Sequence, residues 1–512
     1  VPLDRSGALA GSIRIRAVRI ASRRASRPPL IGLTGGPGQA GVIYAGTYDF
    51  ILPRGGRDLV LLDQRGTGAS GLLRCPSLEG DVELVSKAVA ACGLRLGARR
   101  SLYTSADSAE DLEALRVRLG APQIALFAVS YGSRVALEYA RRYPQHVERM
   151  ILDSPVALDA PDPLARETLG AVGRVLRTAC RAGCGAAGAH PVTDLRRLVA
   201  RLRRTPIRRL VRRGSRRVAI RVRVDDVLGL LLAGDLDPAL LRAIPPAVRA
   251  ALAGDNRPLV RLRLSTVGGG AEPVSDFSPA VYVAATCEEA TLAWDPAASP
   301  DARRIQARAA LDATPAAALD PFDRPAALSF GLLGLCGRWP ARERVVVPAP
   351  PLPTTLPTLI LSGDLDLRTP LENARRLAAE LHGVVVVERG AGHSVLGFDV
   401  NGCATPAVAA FLAGRRLPTC KPHTASLTIR GRAAQPGRPT SVSHGRGLSR
   451  QAMVPHRRLT MSVAVWPNAV LPAIGRHTPT RPGRSARPAS RDDVQPDHVG
   501  VSGHGDALVP PR

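Results

Sequence analysis

Acyl transfer at a carbonyl needs a nucleophile, a base to take its proton, an acid to orient the base and donors for the oxyanion. The chain offers residues of each type at suggestive places. Ser130 stands in "FAVSYGSRVALEYARRYP" (127–144), where an apolar run meets a helical pattern. A nucleophile on a strand-to-helix turn has strained backbone angles. The residues two before and two after it must be small, because strand and helix cross closely there. Gly132 meets that demand, and Ala128 adds one methyl group that the crossing should tolerate. Taken alone, Ser130 is equally readable as a helix N-cap.

Residues 1–420 hold four histidines, His146, His190, His382 and His393. His146 follows the helix-ending Pro144 and looks exposed. His190 sits beside Pro191. His382 ends a helix, a favourable place for a cation. Only His393, in "VVVVERGAGHS" (384–394), lies in a glycine-rich turn directly after an apolar run, where a loop can carry the imidazole over a sheet. Two residues compete as its acid. Asp366 ends "PTLILSGDLD" (357–366), and Asp153 ends "RMILD" (149–153). Asp366 fits the chain order Ser, Asp, His and is the preferred choice, with its neighbour Asp364 pointing to the opposite side of the extended chain. The oxyanion donors are expected to be the N–H of Tyr131, after the nucleophile, and that of Gly36 in "TGGPG" (34–38), since Pro37 has no N–H to give.

The elements that must position these residues alternate along the chain. "SIRIRAVRI" (12–20) alternates apolar and polar as a half-buried strand does. Continuous apolar strands are expected at "PLIGL" (29–33), "DLVLL" (58–62), 123–128 and "RMILDSP" (149–155). Helices are expected over about 105–119, with Thr104 as N-cap, and over 131–142. Such strands, separated by helices, indicate a mostly parallel sheet covered on both faces. The pattern stops at 158 and resumes at 346. Between lie Arg-, Ala- and Leu-rich helical stretches, an insertion between two strands of one sheet. Residues 159–345 are therefore read as helical, with 1–158 and 346–420 as the two parts of the core. Beyond Cys420 the character changes to Arg, Pro, Ser, Gly and His, so 421–512 reads as a basic, disordered tail.

At 512 residues the chain suffices for a large core plus an insertion. The net charge of +27 would suit nucleic acid or an anionic membrane. Only Lys87 and Lys421 are lysines, though, and the Arg excess has the look of GC-rich coding. Aromatics are 3%, too few for base-stacking platforms. Nucleic acid is therefore set aside as the primary partner. No apolar run is long enough to cross a bilayer. The chain starts at Val1 without a leader, so a signal peptide is expected to have been removed or to lie outside this sequence.

Eight cysteines allow 105 pairings, of which joining neighbours in order is the simplest. A Cys75–Cys92 bridge would contribute about 3 kcal/mol by closing a short loop. Disulfides imply an oxidising compartment, hence export. Metal binding through Cys180 and Cys184 is the rival, but it lacks a second C-x-x-C or nearby histidines. No metal or cofactor is expected.

Together, "VPLDRSG" (1–7), "LTGGPGQAG" (33–41), "VLLDQRGTGAS" (60–70), "VSYGSRVALEYARRYPQHVERMILD" (129–153), "LILSGDLDLRTP" (359–370) and "GAGHSVLG" (390–397) resemble a known group. It is that of exported bacterial α/β-hydrolases related to proline iminopeptidase and tripeptidyl aminopeptidase, over about residues 1–420. The resemblance implies an α/β-hydrolase fold with a helical cap inserted over the site. It implies a triad of Ser130, Asp366 and His393, and an oxyanion hole of Gly36 and Tyr131. It implies cleavage of short peptides from a free N-terminus, with carboxylesterase activity on the same triad as the alternative. A non-catalytic binding protein on this scaffold is the remaining reading, disfavoured because all three triad residues are present. In these peptidases cap carboxylates hold the substrate's α-amino group. Glu288 and Glu289, after Cys287, stand where relatives tend to carry an acid, although an exposed helix face would explain them as well. The cysteines around "CGRWP" (336–340) and at the end of the domain also match the family. Two departures are Ala128 for the usual first glycine of the turn and Thr34 for the histidine of "HGGPG", which can alter the pocket floor.

Overall fold

A computed structural model describes residues 1–79, 86–159, 162–181, 183–185, 189–213, 216–266, 272–342, 350–399 and 402–420. The tail expected over 421–512 lies outside the described residues. The described residues build one seven-stranded sheet and one two-stranded sheet. The large sheet contains β1 (Ala17–Ile20), β2 (Leu30–Leu33), β3 (Leu59–Leu62), β4 (Ile124–Val129), β5 (Val147–Asp153), β8 (Thr358–Gly363) and β9 (Val384–Glu388). Their order across it is β1-β3-β2-β4-β5-β8-β9. Only β1, at one edge, runs antiparallel, against β3. The other pairs are parallel.

The apolar runs "LIGL", "LVLL" and "IALFAV" are buried almost throughout because helices cover both faces of the sheet. One face packs against helices Ser105–Arg118, Tyr131–Arg142 and Leu371–Leu381, through side chains such as Leu112, Val135 and Leu377. The other packs Leu61, Phe127 and Ile151 against Tyr48, Leu52, Val408 and Leu412. The helix expected near 105 starts on Thr104, whose hydroxyl accepts from Asp107 N–H while the Asp107 carboxylate reaches back to the Thr104 N–H.

Between β5 and β8 the chain leaves the sheet. Helices including Arg166–Arg181, Val224–Gly234 and Pro279–Glu289 build a further apolar core there, containing Leu169, Val227, Leu241 and Val283. The reading of this stretch as helical needs a correction. β6 (Ile207–Arg213) and β7 (Arg216–Val222) form an antiparallel hairpin. Ile207 and Val222 are buried at its base, while Leu210 between them in register is exposed. The apolar residues of the two strands do not alternate strictly, and Arg fills every polar position, so the sequence carries no clear strand period.

Four disulfides join the cysteines in sequence order: Cys75–Cys92, Cys180–Cys184, Cys287–Cys336 and Cys403–Cys420. Cys180 and Cys184 thus bond to each other. No helix among the described residues is long and apolar enough to cross a membrane.

Candidate active site

Ser130 separates β4 from helix Tyr131–Arg142 with φ 54° and ψ −124°. A non-glycine residue there carries strain, which the surroundings must hold in place. The Ser130 N–H donates to Asp153 O at 2.9 Å, and its carbonyl accepts from Ser133 N–H at 2.9 Å and Ser133 Oγ at 2.6 Å. Its hydroxyl makes no capping bond to the helix, which removes the structural reason to keep a serine at this turn. The helix crosses so tightly that a Cβ on Gly132 would sit 2.5 Å from Leu33 O and 2.8 Å from Thr34 O. Ala128, fully buried, fits its methyl into the core beside the crossing. Across the gap, a Cβ on Gly35 would lie 2.9 Å from Ser130 Cβ and 3.4 Å from its Oγ. The glycine turn therefore comes right up to the nucleophile candidate. Gly36 takes φ 108°, a conformation that favours glycine. Thr34 caps this turn, its hydroxyl donating to Gln39 O at 3.0 Å.

His393 lies in the loop after β9 and is 6% exposed. Its Nδ1 is 3.0 Å from Asp366 Oδ2. Thr369 holds that carboxylate, donating its N–H to Oδ1 at 2.9 Å and its hydroxyl to Oδ2 at 2.7 Å. Burial disfavours the imidazolium, but the facing carboxylate outweighs it, and the pKa of His393 rises above 6.5. Asp366 is held below the usual carboxylate range: burial opposes this, but His393 and the Thr369 donors prevail. Asp153, the competing acid, accepts instead from Val395 N–H and Leu396 N–H, both at 2.8 Å. It anchors the chain just beyond His393, and burial pushes its pKa up. Asp364 faces elsewhere, accepting from Gly390 N–H at 2.7 Å. Of the remaining histidines, His146 is half-buried rather than exposed, stacked on Tyr143 with Nδ1 3.2 Å from Glu113. His382 closes a helix in the left-handed conformation.

Ser130, Tyr131, Gly36 and His393 line one cavity of about 320 Å³. Its wall is largely aromatic and aliphatic. Tyr44, Tyr48 and Phe127 come from the core, and Phe277, Tyr282 and Phe330 from the insertion. With Tyr131, these are half of the chain's seven Phe and seven Tyr.

The two glutamates separate. Glu289 lines the cavity, yet its carboxylate is fully engaged. It accepts from Ser105 N–H at 2.7 Å, Ser105 Oγ at 2.5 Å, Tyr131 OH at 2.6 Å and Arg134 Nε at 2.6 Å. Glu288 does not reach the cavity. It turns into the protein, where Trp339 Nε1 donates to it at 2.8 Å and Arg100 pairs with it at 3.1 Å. A buried carboxylate needs such partners, so neither glutamate lies on an exposed helix face. Sequence reasoning missed Arg134, Thr369 and Arg368, which also line the cavity. Thr369 was within reach, standing three residues after Asp366, where it can bond back to that side chain.

The comparisons with known proteins bear on the fold that carries this cavity. A family model described as "alpha/beta hydrolase fold" matches residues 28–179, and one described as "TAP-like protein" matches 325–424. The serine protease Hip1 of Mycobacterium tuberculosis is 27% identical over 327 residues, 60% of this chain and 59% of that relative. The match thus spans less than two thirds of Hip1. The putative hydrolase YuaR of Escherichia coli is 23% identical over 77% of this chain and 80% of its own length. The tripeptidyl aminopeptidase of Streptomyces lividans is 28% identical over 30% of this chain and 34% of its own. With its parallel sheet, its strained serine turn and these two matched segments, the chain is similar to the α/β-hydrolases related to tripeptidyl aminopeptidase and proline iminopeptidase.

Proposed function

We propose that the chain is a serine hydrolase acting through an acyl-enzyme, with Ser130 as nucleophile, His393 as base and Asp366 as its acid. The observation that carries this is the strained Ser130, free of any capping bond, opening on the same cavity as a His393 whose Nδ1 faces Asp366 at 3.0 Å. Asp366 keeps the Nδ1 proton in place, so Nε2 is the nitrogen left to take the Ser130 proton. The serine Oγ attacks the carbonyl carbon, and the oxyanion rests on the N–H groups of Gly36 and Tyr131. His393 then protonates the leaving group, and water, deprotonated by His393, releases the acid and regenerates Ser130.

The substrate is a short peptide cut from its free N-terminus, in keeping with the peptidase names of the relatives, and the insertion at 159–345 is the cap that roofs the site. Glu289 would meet the α-amino group only by sharing its carboxylate with Arg134. Four disulfides support an exported enzyme. One observation favours a second reading. The apolar wall and the fully engaged Glu289 suit an ester with an apolar acyl group equally well.

The test compares aminoacyl and tripeptidyl nitroanilides, their N-blocked forms and short-acyl nitrophenyl esters, on wild type and Ser130→Ala. Free-amine peptides should be cleaved best, with Ser130→Ala inactive. Unchanged turnover in Ser130→Ala would sink the mechanism. Equal cleavage of blocked and free peptides would leave the hydrolase standing and remove the aminopeptidase.

A further inference from the structure

We propose that Asp235, a residue of the insertion, is a positioning residue for the base: it fastens the His393 loop to the insertion and supports the positive charge His393 takes on. The proposal rests on the triad reading above.

Asp235 follows helix Val224–Gly234 and is 1% exposed. Its carbonyl accepts the His393 N–H at 2.8 Å. Its carboxylate accepts from Arg368 N–H and Arg368 Nε, both at 3.1 Å. Arg368 in turn donates from Nη2 to Leu232 O at 2.9 Å, on the same helix of the insertion. Arg368 stands two residues after Asp366 and one before Thr369, the two residues at His393 Nδ1. A single insertion residue therefore ties down the loop of the acid and the loop of the base together. The approach is close enough to dictate sequence, because a Cβ on Gly392 would run into Asp235 O. Asp153 anchors the far side of the same loop from the sheet, so His393 is clamped between sheet and insertion.

The charges around this point work against one another. Asp366, Asp235 and Asp153 act on His393 from the loop after β8, the insertion and the sheet, and all three favour its imidazolium. Arg368 opposes it, with Tyr282 next to Arg368. Burial pushes the Asp235 carboxyl up, as does Asp366, while Arg368 and His393 pull it down, leaving it at about 6. Its bonds from the Arg368 N–H and guanidinium favour the carboxylate form. A buried charge that only spaced two loops would be wasteful, since an amide would fill the same place without desolvating a carboxylate.

The experiment titrates the His393 ring by NMR in the full chain, its resonances assigned by their loss in His393→Gln. It is run for wild type, Asp235→Asn and Gly392→Ala. Asp235→Asn keeps an acceptor for Arg368 and loses the charge. The ring pKa should fall by about one unit, and the acid limb of kcat/KM should move to lower pH with it, kcat dropping more than KM changes. Gly392→Ala, which pushes the loop off Asp235, should lower the ring pKa in the same direction, and it decides the matter if Asp235→Asn does not fold. A ring pKa equal to wild type in the variant that folds overturns the proposal. The ring is read without turnover, so failure of the triad reading shows separately, as hydrolysis that survives Ser130→Ala.

Discussion

At the scale of single residues, the choice between two aspartates shows what a sequence can and cannot say. Asp153 ends β5, Asp366 lies three residues beyond β8, and both are buried near His393. Chain order favoured Asp366, and the structure puts its carboxylate on Nδ1. The role of Asp153 was not legible, because it depends on backbone N–H groups of Val395 and Leu396, more than 240 positions away. The two should fail differently. Asp366→Asn should lower kcat by about 10⁴-fold with little change in the unfolding midpoint, whereas Asp153→Asn should lower that midpoint while keeping the His393–Asp366 pair. The base must be neutral to accept a proton. With its pKa raised, kcat/KM should climb with pH through a value above 6.5, and lose that limb in Asp366→Asn. Glu288 and Glu289 mark the limit of position-based inference. Neighbours on one helix end, they turn to different partners, and only the packing of Trp339 and Arg100 on one side and Arg134 on the other decides which faces the cavity.

At the scale of elements, apolar runs bounded by glycine turns were readable as strands because burial on both faces removes any need for alternation. β2, β3, β8 and β9 fall within those runs, while β4 ends one residue past its run and β5 begins two residues before its own. β1 is shorter than the alternation at 12–20 suggests, since only Ala17–Ile20 finds a partner in β3. The β6–β7 hairpin escaped because Arg fills every polar position of its strands, and it sets Arg208 opposite Arg221 and Arg212 opposite Arg217. Like charges so placed destabilise a strand pair, so the pattern looks more like a helix surface than a sheet. The start of helix Ser105–Arg118 was legible down to its cap. Thr104→Ala should cost about 1 kcal/mol by denaturant unfolding, and more than that would mean the helix also steadies Ser105 against Glu289.

At the scale of the whole molecule, the four disulfides each join nearby segments, and one of them braces the cavity wall. Cys287–Cys336 joins helix Pro279–Glu289, which brings Tyr282 and Glu289 to the cavity, to the short helix Leu332–Cys336. It closes a loop of 49 residues. Replacing both cysteines with serine should cost about 4 kcal/mol in the chain-entropy account, with the wall of the cavity loosened before the sheet, visible as a rise in KM at temperatures where the fold persists. The concentration of aromatic side chains has a consequence of another kind. Four of the seven tyrosines, Tyr44, Tyr48, Tyr131 and Tyr282, line the cavity, and of the described tryptophans neither Trp294 nor Trp339 does. The near-ultraviolet tyrosine spectrum is thus weighted towards that space. A ligand or acyl group entering it would register in difference absorbance with no label attached, giving the protein an optical gauge of its own occupancy.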